Sequence, residues 1–388
     1  PIILKPLTVN DNMNLPRGNF EVYIAKIIAD CDTAIADLPD TYSDVAGNAD
    51  YNQAMGARWT NRMAGYAARA LKSRATLFAA SPAFNISGEE SRWQLAAITA
   101  GDLLKMAGGL GALSPSGLTW YTNSSDPEII WARAIAASDL LEVDNFPPSL
   151  QGNGRTNPSQ NLVDAFGMKN GYPITSGSSG FDPNNPYANR DPRLETYIIF
   201  NGNQLGAKGT INTYVGAPLN GLGVQSNATR TGYYLSKFLL DNVSVSNPVV
   251  TQNHFNTYFR FTEVFLNYAE AANEAWGPDE DPQGYGFTPR MILAAIRKRA
   301  GITQPDAFLA TVAGKDDFRT LVRNERRLEL CFENSRFNDL RRWKDLADFQ
   351  SPANGVSINQ TGSNTYSYAY GPVEARAYKD YMIYGPIP

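Results

Sequence analysis

The chain carries a single histidine, His254, among 388 residues, and that count limits the chemistry open to it. A zinc site of the HExxH type and a multi-histidine metal cage are both excluded. A Ser-His-Asp or Cys-His mechanism would have to use His254, which sits in the polar stretch Thr251-Gln-Asn-His-Phe-Asn. No nucleophile elbow accompanies it, and Gly177-Ser-Ser-Gly180 matches one only superficially. Gly108-Gly109-Leu-Gly111 follows a helical pattern, which is the wrong order for a dinucleotide-binding loop. Asp279-Glu-Asp281 opens like a calcium loop, but the twelfth position of that frame is Arg290, where a glutamate is required. These residues predict no catalytic group, no metal and no cofactor.

The carboxylates have other work. Glu325, Glu329 and Glu333 recur every fourth residue, with Arg326 and Arg327 between them. Residues 319–344 hold eight basic side chains against four acidic ones. Ion pairing on or between helices is the expected role at that density. A carboxylate pair facing across a cleft, as in glycosidases, is not excluded by residue count.

The elements that must position these groups are mostly helical. Phe20, Ile24, Ile27, Ile28, Cys31, Ile35 and Leu38 recur at helical spacing up to Pro39. Met63, Ala67, Ala70, Leu71, Leu77 and Phe78 form an Ala-rich stripe that stops at Ser81-Pro82. Trp93, Ala96, Ala97, Ala100, Leu103 and Leu104 mark a third helix, ended by Gly108-Gly109. Small residues allow helices to approach closely, so these pieces predict helical pairs in the style of tetratricopeptide repeats. Helix is expected again from Tyr258, with Phe261, Val264, Phe265, Tyr268, Ala272 and Ala275 on its apolar face and Arg260, Asn267 and Glu270 largely off it. Thr288 followed by Pro289 predicts the next start, and Asn334-Ser335 predicts a break between residues 323 and 343.

Between them the chain changes character. Its 32 Gly and 24 Pro cluster between residues 108 and 248. Residues 128–135, 196–200 and 232–237 are expected to form short strands in an otherwise loop-rich excursion. Hydrophobic content of 43% and charged content of 19% suit a core-forming protein. A net charge of -4 argues against nucleic acid as a partner. Cys31 and Cys331 lie on apolar helical faces and form no CxxC pair. No run of 18 apolar residues occurs, and no signal peptide is visible. Both ends, Pro1 and Tyr384-Gly-Pro-Ile-Pro388, read as cut.

Six phrases in order carry a resemblance. They are Ala70-Leu-Lys-Ser-Arg-Ala-Thr-Leu-Phe-Ala-Ala-Ser-Pro82, Pro158-Ser-Gln-Asn-Leu-Val-Asp-Ala-Phe166 with Met168-Lys-Asn-Gly171, Asn189-Arg-Asp-Pro-Arg-Leu194, residues 260–271, Ile296-Arg-Lys-Arg-Ala-Gly301, and residues 325–343. Together they resemble the SusD/RagB family of outer-membrane nutrient-binding lipoproteins of Bacteroidetes. The closing residues 384–388 resemble the end of that family's pattern, while its lipoprotein signal and opening helical region have no counterpart here.

The resemblance implies a mainly α-helical, SusD-like fold: tetratricopeptide-like helical pairs carrying a large loop-rich insertion with short strands. It implies one domain over residues 1–388, divided into a helical-pair scaffold (1–107), a loop-rich ligand-binding region (108–257) and a C-terminal helical region (258–388). It also implies a non-catalytic protein at the cell surface of the outer membrane, touching the membrane only through a lipid anchor outside this chain. Its expected partners are a glycan, or alternatively a peptide, and a SusC-like TonB-dependent transporter. A glycoside-active enzyme is the remaining alternative. The binding residues do not carry over from the resemblance, so physics selects them. Sugar faces stack on exposed aromatic rings, with amides and arginines nearby for hydroxyls. Trp120 and Tyr121 are the first expected pair, then Tyr172, Phe181 and Tyr187, with Asn153, Arg155 and Asn185 as polar partners. Trp93, Trp131, Trp276 and Trp343 are expected in the core.

Overall fold

Short polar side chains set where the helices begin. The Asn19 carboxamide accepts the Glu21 amide at 2.8 Å and starts α1, Phe20–Asp37. Helices α2, Gly65–Ala80, and α3, Glu90–Met106, follow with Ala-rich inner faces. Helix α4 spans Phe261–Ala275. In α5, Pro289–Arg299, Pro289 takes the first turn and the Thr288 hydroxyl accepts the Met291 amide at 3.2 Å. Helices α6, Gly314–Glu329, and α7, Ser335–Trp343, follow, and shorter helices of five to seven residues lie in the connections. The computed structural model describes every residue except 1, 5, 17, 61, 134, 135 and 385–388. Part of the expected 128–135 strand and most of the closing phrase at 384–388 therefore lie outside the described residues.

The helices stack in series: α1 on α2, α2 on α3, α3 on α4, and α4 on both α5 and α6. Alanines at 70, 80, 96, 97 and 100 line the contacts and let the backbones approach. Gly101 carries this furthest, because a Cβ there would meet the Tyr285 ring at 2.4 Å. Helix α4 is the axis of the core, and only Glu263 and Glu274 of its residues escape burial. Both are paired outward, Glu263 with Arg74 at 2.7 Å and Glu274 with Arg319. Each buried Phe, Leu or Val of this core contributes about 1.5–3 kcal/mol. At the edge of the stack α1 buries only Cys31 of its expected stripe, since α2 is its main neighbour.

Helix α4 starts later than periodicity predicts. Residues 256–260 belong to strand β2, Asn256–Arg260, which pairs antiparallel with β1, Ile129–Arg133. The expected C-terminal helical region is also corrected. Strands β3, Ala353–Gly362, and β4, Thr365–Glu374, form a hairpin with Val356 and Ile358 buried. Alternation at Val356 and Ile358, opposite Tyr370 and Tyr368, selects strand over helix. Short strands do occur in the insertion, but the expected 196–200 strand shrinks to Ile198–Ile199 paired with Tyr234–Leu235.

Glu270 of α4 and Glu325, Arg326 and Glu329 of α6 are buried, and they take the ion-pairing role expected between helices. Arg342 grips Glu270 with two 2.6 Å hydrogen bonds, the Trp343 indole donates to the same carboxylate at 2.6 Å, and Arg326 donates to Asn267 at 2.7 Å. This set pins α7 to α4. A second set joins the insertion to the scaffold. Glu329 meets Arg299 at 2.6 Å, Arg193 at 3.2 Å and Arg260 at 3.4 Å. Arg260 reaches Glu128 at 2.8 Å and Glu333 at 2.8 Å, and Lys237 reaches Glu333 at 2.7 Å. Arg193 also pairs with Glu325 and Asp191. Glu333 can join only because the chain leaves the helix after Glu329, turning through Phe332 at φ 64° and Asn334 at φ 59°.

Burial alone would raise the Glu270 carboxyl, but Arg342, Arg326 and Arg323 hold it down from 4.5 to about 2. Glu329 is likewise held at about 2, against burial, by Arg299, Arg260, Arg193 and Lys237. Removing one partner of such a pair leaves an uncompensated buried charge. Glu270→Gln should therefore lower stability by about 3–5 kcal/mol at neutral pH, read as a drop in urea midpoint. The depressed carboxyls stabilise the fold fully above their unfolded value near 4.5, and that stability is lost as pH falls toward about 2. The urea midpoint should thus be lower at pH 3 than at pH 6, and less so in Glu270→Gln; equal midpoints in the native protein would refute this reading.

Candidate functional site

Strands β1 and β2 position the aromatic groove. Trp131 pairs in register with Phe259, and register shifts on both sides of Trp131 turn its ring onto Tyr258. The two rings stack at 4.4 Å with a 22° tilt. Tyr258 keeps 44% of its surface exposed, while Phe259 behind it is buried under the Arg74 guanidinium, 4.2 Å from its ring. Arg74 is itself held by Glu263 and donates to the Tyr258 carbonyl at 2.8 Å. The ring pair is thus braced from α2 and α4.

Two cavities open around this sheet. One, of about 610 Å³, is bordered by Tyr42, Tyr66 and Trp131 with Asp40, Arg62 and Asn253. The other, of about 530 Å³, is bordered by Tyr121, Phe238 and Tyr258 with Arg74 and Asp144. His254 and Phe255 border both. Rings with polar neighbours at their edges suit a ligand that has flat apolar faces and peripheral hydroxyls.

His254 is occupied. Its Nε2 lies 3.0 Å from a Glu142 oxygen, and the other Glu142 oxygen accepts the Leu240 amide at 2.9 Å. Among the described residues no hydroxyl or thiol side chain is hydrogen-bonded to His254. Cys331 is buried and free, and burial pushes its thiol up to about 12. The arrangement ties the insertion together and offers no activated nucleophile. Among the described residues no group of three or more His, Cys, Asp or Glu is arranged to hold a metal.

The residues expected from the sequence to bind ligand fall in separate places. Trp120 and Tyr121 come together at a ring distance of 5.9 Å and both border the second cavity. Trp120 is a correction, however. It is only 2% exposed, its ring is enclosed by Tyr121, Phe238 and Phe255, and the Arg260 guanidinium lies 5.0 Å from its centroid. A Gly- and Ser-rich stretch suggests an exposed loop, but residues 117–122 form a 3-10 turn that directs Trp120 inward. Burial also pushes the Tyr121 phenol up to about 12. Tyr187 stacks on Phe200 at 4.3 Å and hydrogen-bonds Tyr233 at 3.1 Å, so it belongs to packing. Tyr172 packs on Phe308, Phe181 lies beneath Arg190, and Asn185 is exposed, all outside both cavities. Asn153 and Arg155 border a separate cavity of about 930 Å³.

Tyr42, Tyr66, Trp131, Asn253, Phe255 and Tyr258 were not selected by sequence reasoning. Trp131, expected in the core, is only partly buried. A signal existed in the two ring-bearing segments at 129–133 and 256–260, whose pairing would bring Trp131 and Tyr258 together. Trp343 is buried as expected, at 5% exposure.

A model of the SusD family matches residues 127–388. No curated protein matches the chain. Among solved structures, a SusD-like protein from Bacteroides fragilis NCTC 9343 is 26% identical, with a TM-score of 0.74 over 98% of this chain and 71% of its own. A SusD-like carbohydrate-binding protein from the same strain is 22% identical, with a TM-score of 0.75 over 100% of this chain and 73% of its own. The second likeness concerns the fold alone. The matched region contains the whole buried charge set that joins insertion to scaffold, from Glu128 to Glu333. With the family model spanning most of its length, the chain belongs to the SusD family.

Proposed function

We propose that this protein binds an oligosaccharide, without chemical turnover, in the groove on either side of His254 and Phe255. The observation that carries the proposal is the braced Trp131–Tyr258 ring pair, with Tyr258 exposed, between two cavities edged by amides, carboxylates and arginines. Stacking on sugar faces needs such rings held rigidly, and Arg74 and Glu263 supply the brace. Tyr121 and Phe238 extend the aromatic wall on one side, and Tyr42 and Tyr66 on the other. Occupation of His254 by Glu142 supports a binding role over an acyl-transfer role. Carbohydrate binding by a relative of the same fold supports the ligand class.

The insertion at 108–257 supplies one wall of this groove and the scaffold the other, so the ligand-binding region is the seam between them. The same proposal sets the protein at the outer-membrane surface on a lipid anchor, passing its ligand to a SusC-like TonB-dependent transporter. Family membership is what supports that setting.

Calorimetric titration of the purified chain against neutral plant, host and fungal polysaccharides tests the binding claim. Tyr258→Ala should weaken the tightest interaction by about 1–3 kcal/mol while leaving the fold intact. Trp120→Ala should instead lower stability by about 3–5 kcal/mol, since it empties a core position. Binding that is indifferent to Tyr258→Ala would remove the groove from the proposal. Peptide binding with no polysaccharide binding would transfer the ligand class, and release of reducing ends from any glycan would end the non-catalytic reading.

A further inference from the structure

The cavity of about 930 Å³ adjoins the aromatic groove at Phe332 and otherwise lies among the 153–162 and 226–231 segments, α7 and the foot of the β3–β4 hairpin. Its wall is strongly basic in a protein of net charge -4. Arg155, Arg230, Arg327, Arg336 and Arg376 border it, against the carboxylates Asp348 and Glu374. Asp348 is already engaged by Arg336 and lies 3.9 Å from Arg327. Arg155 pairs with Asp144 at 3.2 Å. Arg230 has no side-chain partner among the described residues, and Arg376 reaches only the Asp348 carbonyl, at 3.4 Å. Five arginines on this wall thus meet the two wall carboxylates and Asp144, an excess of two basic groups.

Two further observations point to an anion as the ligand. Burial first, then Arg336 and Arg376, push the Arg327 guanidinium down to about 10, with Asp348 and Asp164 opposing the shift. Like charges held this close favour the entry of a negative group. Thr231 also borders the cavity, is 6% exposed, and leaves its Oγ1 without a partner among the described residues. A buried hydroxyl in that state is a ready hydrogen-bond donor or acceptor for a ligand oxygen.

We propose that this cavity is a second binding site, selective for the carboxylate of a uronic-acid residue in an oligosaccharide. The planar guanidinium fork matches a carboxylate in two parallel hydrogen bonds, which a neutral hydroxymethyl group cannot accept in the same way. Leu162 and Phe332 supply apolar wall for the sugar ring. Selection of an anion stands on the arginines alone, whereas the sugar class rests on the proposed glycan function.

The test uses the full chain and a galacturonate tetrasaccharide, with its carboxyl-reduced neutral counterpart and tetra-aspartate as comparison probes. At low salt the uronate should bind at least about tenfold more tightly than the neutral counterpart. The double variant Arg230→Ala/Arg376→Ala should lose about tenfold in uronate affinity with its circular dichroism unchanged, because both side chains are exposed and outside any ion pair. Equal affinity for the acidic and neutral sugars would overturn the proposal, as would a double variant with native affinity. Tighter binding of tetra-aspartate than of the uronate would overturn the sugar class. Neutral-glycan binding that still depends on Tyr258 would show, in any of these cases, that the groove stands independently.

Discussion

The structure turns on the burial of Glu329 among three arginines. Its carboxylate faces Arg193 from the insertion, Arg260 from the entrance to α4 and Arg299 from the end of α5. Its own backbone carbonyl takes Lys237 at 2.9 Å and Arg260 at 3.0 Å. Placing so many charges out of water is expensive, and mutual attraction offsets that cost only when nearly every donor and acceptor is used. Arg260 meets this demand by bonding Glu128, Glu329 and Glu333 at once. Apart from β1, the regular elements of the insertion are short, such as the two-residue strand pair of Ile198–Ile199 on Tyr234–Leu235. Its attachment to the helices is therefore electrostatic as much as apolar, and the cleft between them inherits its shape from that attachment.

Much of the helical scaffold was legible from residue spacing. Ala-rich stripes, the Thr288-Pro289 start and the break at Asn334-Ser335 all describe local backbone behaviour, which a sequence states directly. Charge was legible by type, and the expected ion pairing between helices is what the structure shows, but the partners were not legible. Arg260, Asn267 and Glu270 fall off the apolar stripe, and the structure buries them all the same, against partners from other elements. Nothing in local pattern tells that Glu270 will meet Arg342, seventy-two positions away.

The proposed binding surface was the least legible part for the same reason. The groove collects Tyr42, Trp131 and Tyr258 from three distant stretches, and no window of sequence contains two of them. Trp120 illustrates the converse error. A ring among Gly, Ser and Thr reads as exposed, but one 3-10 turn suffices to point it at Phe238 and Phe255. Composition reports that rings are plentiful; only the strand pairing of 129–133 with 256–260 decides which of them face outward.

The turn that releases Glu333 from the helix has a second effect. Phe332, held with its backbone in the left-handed region, borders the aromatic groove on one side and the arginine-lined cavity on the other. A change at this position is therefore pleiotropic: it reshapes both proposed recognition surfaces together, through one side chain whose backbone conformation disfavours β-branched replacements. Among the described lining residues no other side chain belongs to both walls, so a substitution elsewhere alters the lining of one wall only.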